Sequence, residues 1–254
     1  MDENALQGKV AIVSASDSGI GAQIARELSA LGAHTVINYP FPQFESRAHG
    51  VLATLKTPGI AVEADLSTTT GPQTLVDRAV AAYGHIDILV NNAGIAVNLP
   101  FEEQTIEHWD SLVNLNGRGT FLLTQATLKH LSAKDSRIVN VCSISAREAP
   151  SMQTIYAGTK GMVDSMTRVW ARELPRKYGC TVNSVSPGPT RTEGFEAAGI
   201  EMMKLLQPVI DKTPVGPRLA ETSEIAYAVI MLCLPRASWL NGVHLIASGG
   251  LFMN

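Results

Sequence analysis

Tyr156 and Lys160 stand four apart in the stretch Ile155-Tyr156-Ala157-Gly158-Thr159-Lys160. On a helix this spacing sends both side chains out of one face, a turn apart. Met162, Val163, Met166, Val169 and Trp170 recur with Asp164, Arg168 and Arg172 between them, which predicts a helix. A free phenol, with a pKa of about 10, is a poor acid near neutrality. An ammonium group beside a phenol favours the phenolate. Such a pair can give a proton to a carbonyl oxygen or take one from an alcohol. A Tyr-x-x-x-Lys spacing also arises by chance, so its meaning depends on the elements that hold it.

The chain has 254 residues, 45% hydrophobic and 17% charged, enough to bury one sizeable core. A single catalytic domain over 1–254 is expected. The net charge of −3, without blocks of like charge, argues against nucleic acid as the main partner and offers no polybasic membrane anchor. Cys142, Cys180 and Cys233 are widely spaced and form no metal-ligand cluster. The six histidines, at 34, 49, 85, 108, 130 and 244, show no ligand spacing either, so no metal is expected. Odd cysteines, an acidic start at Met1-Asp2-Glu3-Asn4 and the lack of a long apolar run lead to the expectation of a soluble cytoplasmic protein.

Short β-branched runs at 10–13, 35–37, 60–62, 86–90, 138–141, 181–185 and 243–246 alternate with helical patterns near 20–31, 72–83, 105–113, 120–131, 155–178 and 223–232. The alternation predicts βαβ units: a three-layer, Rossmann-type, doubly wound α/β fold whose mostly parallel sheet has about seven strands. Continuous apolar runs fit strands covered on both faces. The stretch from Pro187 to Arg218 breaks the rhythm, with five prolines and a short apolar helix candidate at 200–206. A long irregular excursion in a compact domain is usually functional. It is expected to form a substrate lid near 189–214.

After the first strand comes Ser14-Ala15-Ser16-Asp17-Ser18-Gly19-Ile20-Gly21, then a helix. Small residues let the backbone approach a pyrophosphate, and the helix start supplies N–H groups and positive dipole. This turn resembles the Thr-Gly-x-x-x-Gly-x-Gly turn of the short-chain dehydrogenase/reductase family. The resemblance continues in order to the far end of the chain. Ala64-Asp65-Leu66 resembles the segment after the third strand that meets the adenine, and Asn91-Asn92-Ala93-Gly94 resembles the family's signature after the fourth. Trp109, Asn116 and Phe121 are spaced as on the helix that bears the family's active-site Asn. Ser143 stands thirteen before Tyr156. Pro187-Gly188 with Thr192 resembles the loop that holds the nicotinamide carboxamide, and Ser248-Gly249-Gly250 the C-terminal Gly-Gly. Two positions depart. Ser248 stands where many members have Asp. Ala15 replaces the first Gly, and its methyl is expected to crowd the turn or demand an ordinary φ, lowering cofactor affinity.

The resemblance implies the following roles. Tyr156 is the general acid in reduction and the base in oxidation. Lys160 supports it and holds the nicotinamide ribose. Ser143 donates to the substrate oxygen as charge develops there. Asn116 shapes a helix irregularity and holds a water linking Lys160 to solvent. Cofactor contacts are implied for Ser14, Ser16, Ser18, Gly19, Ile20, Asn38, Asp65, Leu66, Asn92, Ala93, Gly94, Tyr156, Lys160, Pro187, Gly188 and Thr192. The family commonly forms homotetramers through its long fourth and fifth helices, here near 105–131 and 155–178.

An acidic residue at the end of the second strand would bind the ribose 2′-OH of NAD and repel a 2′-phosphate. Asn38 is neutral there, and Arg47 can fold over from the next segment, so NADP(H) is expected over NAD(H). The excursion offers Phe195, Ile200, Met202, Met203, Leu205, Leu206, Val209 and Ile210, and Ile95 to Leu99 is similarly apolar. Such a surface suits an apolar or aromatic, polyketide-like ketone. A 3-oxoacyl thioester is the alternative, with Arg172, Arg176 and Lys177 as a docking patch for an acidic carrier. An alternative of another class is a nucleotide-binding protein without redox turnover, to which only Ala15 points.

Overall fold

A computed structural model describes residues 2, 4–197 and 199–253, and the side chains of all these except Glu201, Met202 and Leu205. Seven strands are described: β1 (Val10–Val13), β2 (His34–Tyr39), β3 (Ile60–Glu63), β4 (Ile88–Asn91), β5 (Ser136–Val141), β6 (Cys180–Pro187) and β7 (His244–Ala247). They form one sheet in the order β3-β2-β1-β4-β5-β6-β7. Every pairing is parallel, with Val13 beside Ile37 on one side and Val90 on the other, and Pro187 beside Ala247. The chain winds outward from β1 in both directions, which opens a crevice where β1 parts from its neighbours at their carboxyl ends.

Helices cover both faces. They are α1 (Gly19–Ala30), α2 (Glu45–Leu52), α3 (Gly71–Tyr83), α4 (Ile106–Leu112), α5 (Thr120–Leu128), α6 (Ser145–Glu148), α7 (Thr154–Glu173), α8 (Pro175–Tyr178), α9 (Glu193–Ala197), α10 (Gly199–Ile210) and α11 (Thr222–Cys233). The period of two in β1 divides the core. Ala11 and Val13 pack with Ile24 and Leu28 of α1 and Ile225 and Val229 of α11. Ile12, on the other face, packs with Leu75 of α3, Leu123 of α5 and Trp170 of α7.

The expected strands and main helices are present, with boundaries moved by a few residues. Two differences have physical causes. The helix α2 has no counterpart among the expected elements, because only Ala48 and Val51 of its eight residues are buried and its apolar stripe is too thin to read. The excursion after β6 is more regular than expected. Its apolar stretch winds into the twelve-residue α10 with Pro208 inside it, and α9 precedes it.

Candidate active site

The carboxyl ends of β1, β4, β5 and β6 bring the candidate residues together. Ser143 follows β5, and Tyr156 and Lys160 lie in the first two turns of α7. Lys160 is buried, with Nζ 5.9 Å from the centre of the Tyr156 ring. Its ammonium donates to the carbonyl of Val141 at 3.0 Å, which pins it to the end of β5. Ser143 Oγ accepts from the N–H of Ser145 at 3.1 Å. That bond uses an acceptor site and leaves the hydroxyl proton of Ser143 for another oxygen.

Asn116 sits in a π-helical segment, Val113–Gly119, between α4 and α5. Wide turns of this kind recur at functional sites, and this one agrees with the irregularity expected at Asn116. Its Nδ2 donates to the carbonyl of Ile95 at 2.9 Å and to Thr159 Oγ1 at 3.0 Å. Its Oδ1 accepts from the N–H of Ile95 at 2.9 Å. Both amide donors are used in fixing the Gly94–Ile95 backbone to α7, so a water could be held by the side chain only at Oδ1.

Gly94 is exposed, and a Cβ there would stand 3.1 Å from Lys160 Nζ and 3.3 Å from Asn116 Oδ1. Without a side chain, a flat ring or a ribose can lie over this position within reach of the ammonium. The second cradle is the turn after β1. Ser18, the N-cap of α1, has extended backbone and makes no capping bond through its side chain, and Gly19 has φ +54°. A Cβ on Gly21 would stand 2.3 Å from the carbonyl oxygen of Ala15, so only glycine lets the helix approach the turn. These two places fit the diphosphate and nicotinamide ends of a dinucleotide, which would supply the hydride.

Three residues expected to touch the cofactor are spent inside the protein. Ser14 Oγ accepts from the N–H groups of Asn92 at 2.8 Å and Ala93 at 2.9 Å. Ser16 Oγ donates to the carbonyl of Val13 at 2.6 Å and accepts from the N–H of Asn38 at 3.0 Å. Asn38 is 2% exposed. Its Oδ1 accepts from the N–H of Ala15, and its Nδ2 donates to the carbonyl of Ala64 at 3.0 Å, with longer contacts to those of Val62 and Tyr39. Asn38 therefore builds the turn and does not reach a ribose. Asn92 works from the other side, donating to the carbonyls of Ser14 and Ala15. The expectation of an ordinary φ at Ala15 is overturned, since Ala15 has φ +46°.

Ser18, Gly19 and Ile20 remain half-buried at the head of α1, where the N–H of Gly19 donates to Glu193 Oε2 at 2.9 Å. Asp65 Oδ1 accepts from the N–H and hydroxyl of Ser67, closing the turn after β3, and Leu66 is buried beside it. Pro187 ends β6, and the N–H of Gly188 donates to the carbonyl of Ala247 at 3.0 Å. Thr192 packs against Gly19 and accepts from the N–H of Phe195 at 3.1 Å. Arg47 does fold over the turn: its Nη2 is 3.1 Å from Asp17 Oδ2, and its guanidinium lies 5.0 Å from the centre of the Phe44 ring. Burial raises the Asp17 carboxyl above the ordinary carboxylate value, Arg47 and a backbone hydrogen bond oppose this, and the charge of Glu193 adds to it.

Sequence reasoning missed a clamp below the site. Arg147 of α6 donates from Nε and Nη2, each at 3.1 Å, to Asp164 of α7, and His244 Nδ1 lies 2.9 Å from the same carboxylate. The signal available was the four-residue step from Lys160 to Asp164 along one helix face. It also missed Gln153, whose Nε2 donates to Asn98 Oδ1 at 2.6 Å and so joins the two loops flanking Tyr156. Among the described residues no group of three or more His, Cys, Asp or Glu is placed to hold a metal ion. No helix there is long and apolar enough to cross a membrane.

The strand order and the glycine turn define a Rossmann-type doubly wound fold, with a Tyr–Lys pair at the carboxyl ends of its strands. Residues 14–252 match the family model described as enoyl-(acyl carrier protein) reductase. The chain is 37% identical over 250 residues to a short-chain dehydrogenase/reductase, FrzI, of a Cladobotryum species, covering 97% of this chain and 96% of that one. It is 34% identical to hydroxynaphthalene reductase-like protein Arp2 of Metarhizium anisopliae, covering 96% and 95%. A crystal structure of a short chain dehydrogenase from Burkholderia cenocepacia in complex with NADP superimposes with a TM-score of 0.89 at 32% identity, covering 98% of this chain and 99% of that one. The chain belongs to the short-chain dehydrogenase/reductase family, a family of oxidoreductases.

Proposed function

We propose that this protein is an NADP(H)-dependent reductase that converts a ketone to an alcohol, reversibly, and that its substrate is an apolar or aromatic polyketide-like ketone. The observation that carries the reading is the meeting of the buried Lys160 ammonium and the Asn116 amide at the open Gly94, with the Tyr156 ring 5.9 Å from that ammonium. Tyr156 gives its phenolic proton to the carbonyl oxygen as that oxygen gains charge. Ser143 donates its free hydroxyl proton to the same oxygen. Lys160 holds positive charge near the phenol and the ribose site. Asn116 keeps the Gly94–Ile95 backbone flat against α7.

NADP(H) is favoured by the NADP of the Burkholderia cenocepacia structure and by Arg47, which stands over the turn where a 2′-phosphate needs a cation. Asn38 has no part in this choice. The substrate class draws on the hydroxynaphthalene reductase-like relative and on apolar lid side chains such as Phe195, Met203, Leu206 and Val209. Met202 and Leu205, named for the same surface, have side chains outside the described set. The thioester reading is weaker. Arg172 lies sixteen residues beyond Tyr156, about 24 Å along α7 at 1.5 Å per residue, so the basic patch is at the wrong end of the helix. A homotetramer is proposed from large apolar side chains exposed on α4, α5 and α7, among them Ile106, Trp109, Phe121 and Val169. Light scattering at micromolar concentration should show a tetramer, and a monomer would refute that part.

The test is nicotinamide absorbance with NADPH, or NADH, and a panel of cyclic, aryl and thioester ketones. NADPH and aryl or alicyclic ketones should give the highest kcat/KM, and Arg47→Ala should raise KM for NADPH more than for NADH. Binding of NADPH without turnover on any ketone would favour a sensor or scaffold instead.

A further inference from the structure

Glu193 reaches across the fold to the head of α1. Its Oε2 accepts a hydrogen bond from the N–H of Gly19 at 2.9 Å, 174 residues away in the chain. The first turn of α1 has no acidic residue and no side-chain cap of its own, so its N–H groups and dipole attract any anion in reach. Glu193 is the first residue of α9, and the preceding Thr192 packs its Cβ and methyl against Gly19. The start of the proposed lid is thereby fastened to the turn where a diphosphate would sit.

We propose that Glu193 is a latch, its carboxylate holding the diphosphate seat until the dinucleotide arrives and displaces it, so that cofactor binding frees α9 to move. The proposal rests on the dinucleotide reading above. Charge decides which anion leaves. Asp17 and Glu193 both stand at the turn, and a diphosphate brings further negative charge to the same N–H groups. Asp17 is buried and held by Arg47. Glu193 is exposed, and beyond its helix Gly199 has a φ of +81° and open surroundings that allow the chain to swing. Glu193 is therefore the group that yields. The cofactor then binds more weakly than its contacts alone would give, and lid movement becomes tied to cofactor occupancy.

The test compares wild type with Glu193→Gln and Glu193→Ala, using NADPH fluorescence titration and amide hydrogen exchange on the full chain. Both variants should bind NADPH more tightly, Ala at least as much as Gln, by roughly five- to twentyfold. Affinity for 2′-AMP, which lacks the diphosphate, should move little in either variant, since the remaining effect of the charge is screened by salt. In wild type NADPH should speed exchange in 193–197, and the variants should show that faster exchange without it. Equal NADPH affinities in all three proteins, or weaker binding in the variants, would overturn the latch while leaving the dinucleotide reading intact. No NADPH binding by any of the three would overturn both.

Discussion

The side-chain amide of Asn38 holds the backbone of Ala15, its Oδ1 accepting the Ala15 N–H at 3.0 Å while Nδ2 donates toward carbonyls of the β3 end. A residue of β2 thus fixes the turn that follows β1, and the turn in turn sets the head of α1. With Asn92 gripping the Ala15 carbonyl from the β4 side, the left-handed conformation is held on both flanks.

Asn38→Asp should be a stability defect and not a switch of cofactor. The carboxylate would set a buried oxygen against carbonyls that now receive Nδ2–H, and would cost about 2–4 kcal/mol. Thermal or urea unfolding reads this directly. A variant of unchanged stability that had turned from NADPH to NADH would contradict the role assigned to Asn38.

Ala15→Gly should stabilise the protein. A left-handed Ala costs about 1–2 kcal/mol, and the added unfolded-state freedom of Gly gives back about 0.5–1 kcal/mol, so a gain of up to about 1.5 kcal/mol is expected. Dinucleotide affinity should stay close to wild type, because the turn already has the shape that glycine would adopt. Loss of stability in the variant would mean that the methyl makes packing contacts worth more than the strain.

Acid should loosen the clamp below the site. Burial tends to raise Asp164, but hydrogen bonds from Arg147 and the charges of His244, Arg147 and Arg168 outweigh it and hold the carboxyl below its ordinary value. Burial likewise opposes, and hydrogen bonds from Val10, Lys9 and Ser132 overcome, at Asp87. A carboxyl depressed in the folded state stabilises it above the ordinary carboxylate value, and this is lost as pH falls through the depressed folded value. His244 is also held below its ordinary 6.5, chiefly by burial and then by Arg147, so the unfolded chain takes that proton first and stability begins to fall below about pH 6.5. Asp164 favours the charged form of His244 and so limits that loss, and Asp164→Asn should therefore cost more stability at pH 4.5 than at pH 7. An equal cost at both, measured by urea unfolding, would show that the carboxylate does not act on His244.

Much of the fold was legible because each strand carries a short apolar or β-branched run, continuous in β1, and most of the main helices have a buried stripe. The Tyr156–Lys160 pair was legible because helix geometry turns a four-residue step into a shared face. Asn38 was misread for a related reason. In a strand covered on both faces, an apolar run does not reveal which way a polar residue at its end points, and one residue of register exchanges cleft for interior. The helix step from Lys160 marks Asp164, but its partners Arg147 and His244, like the Glu193 partner of Gly19, are brought in by the fold, and no local spacing names them.

Tyr156→Phe tests the central claim most directly. The substitution removes one hydroxyl and keeps the ring. NADPH should bind to the variant with an affinity close to that of wild type, and kcat on the best ketone of the panel should fall by about 10²-fold or more. A variant that keeps more than a few per cent of wild-type turnover would contradict the account, because the acid would then be another residue.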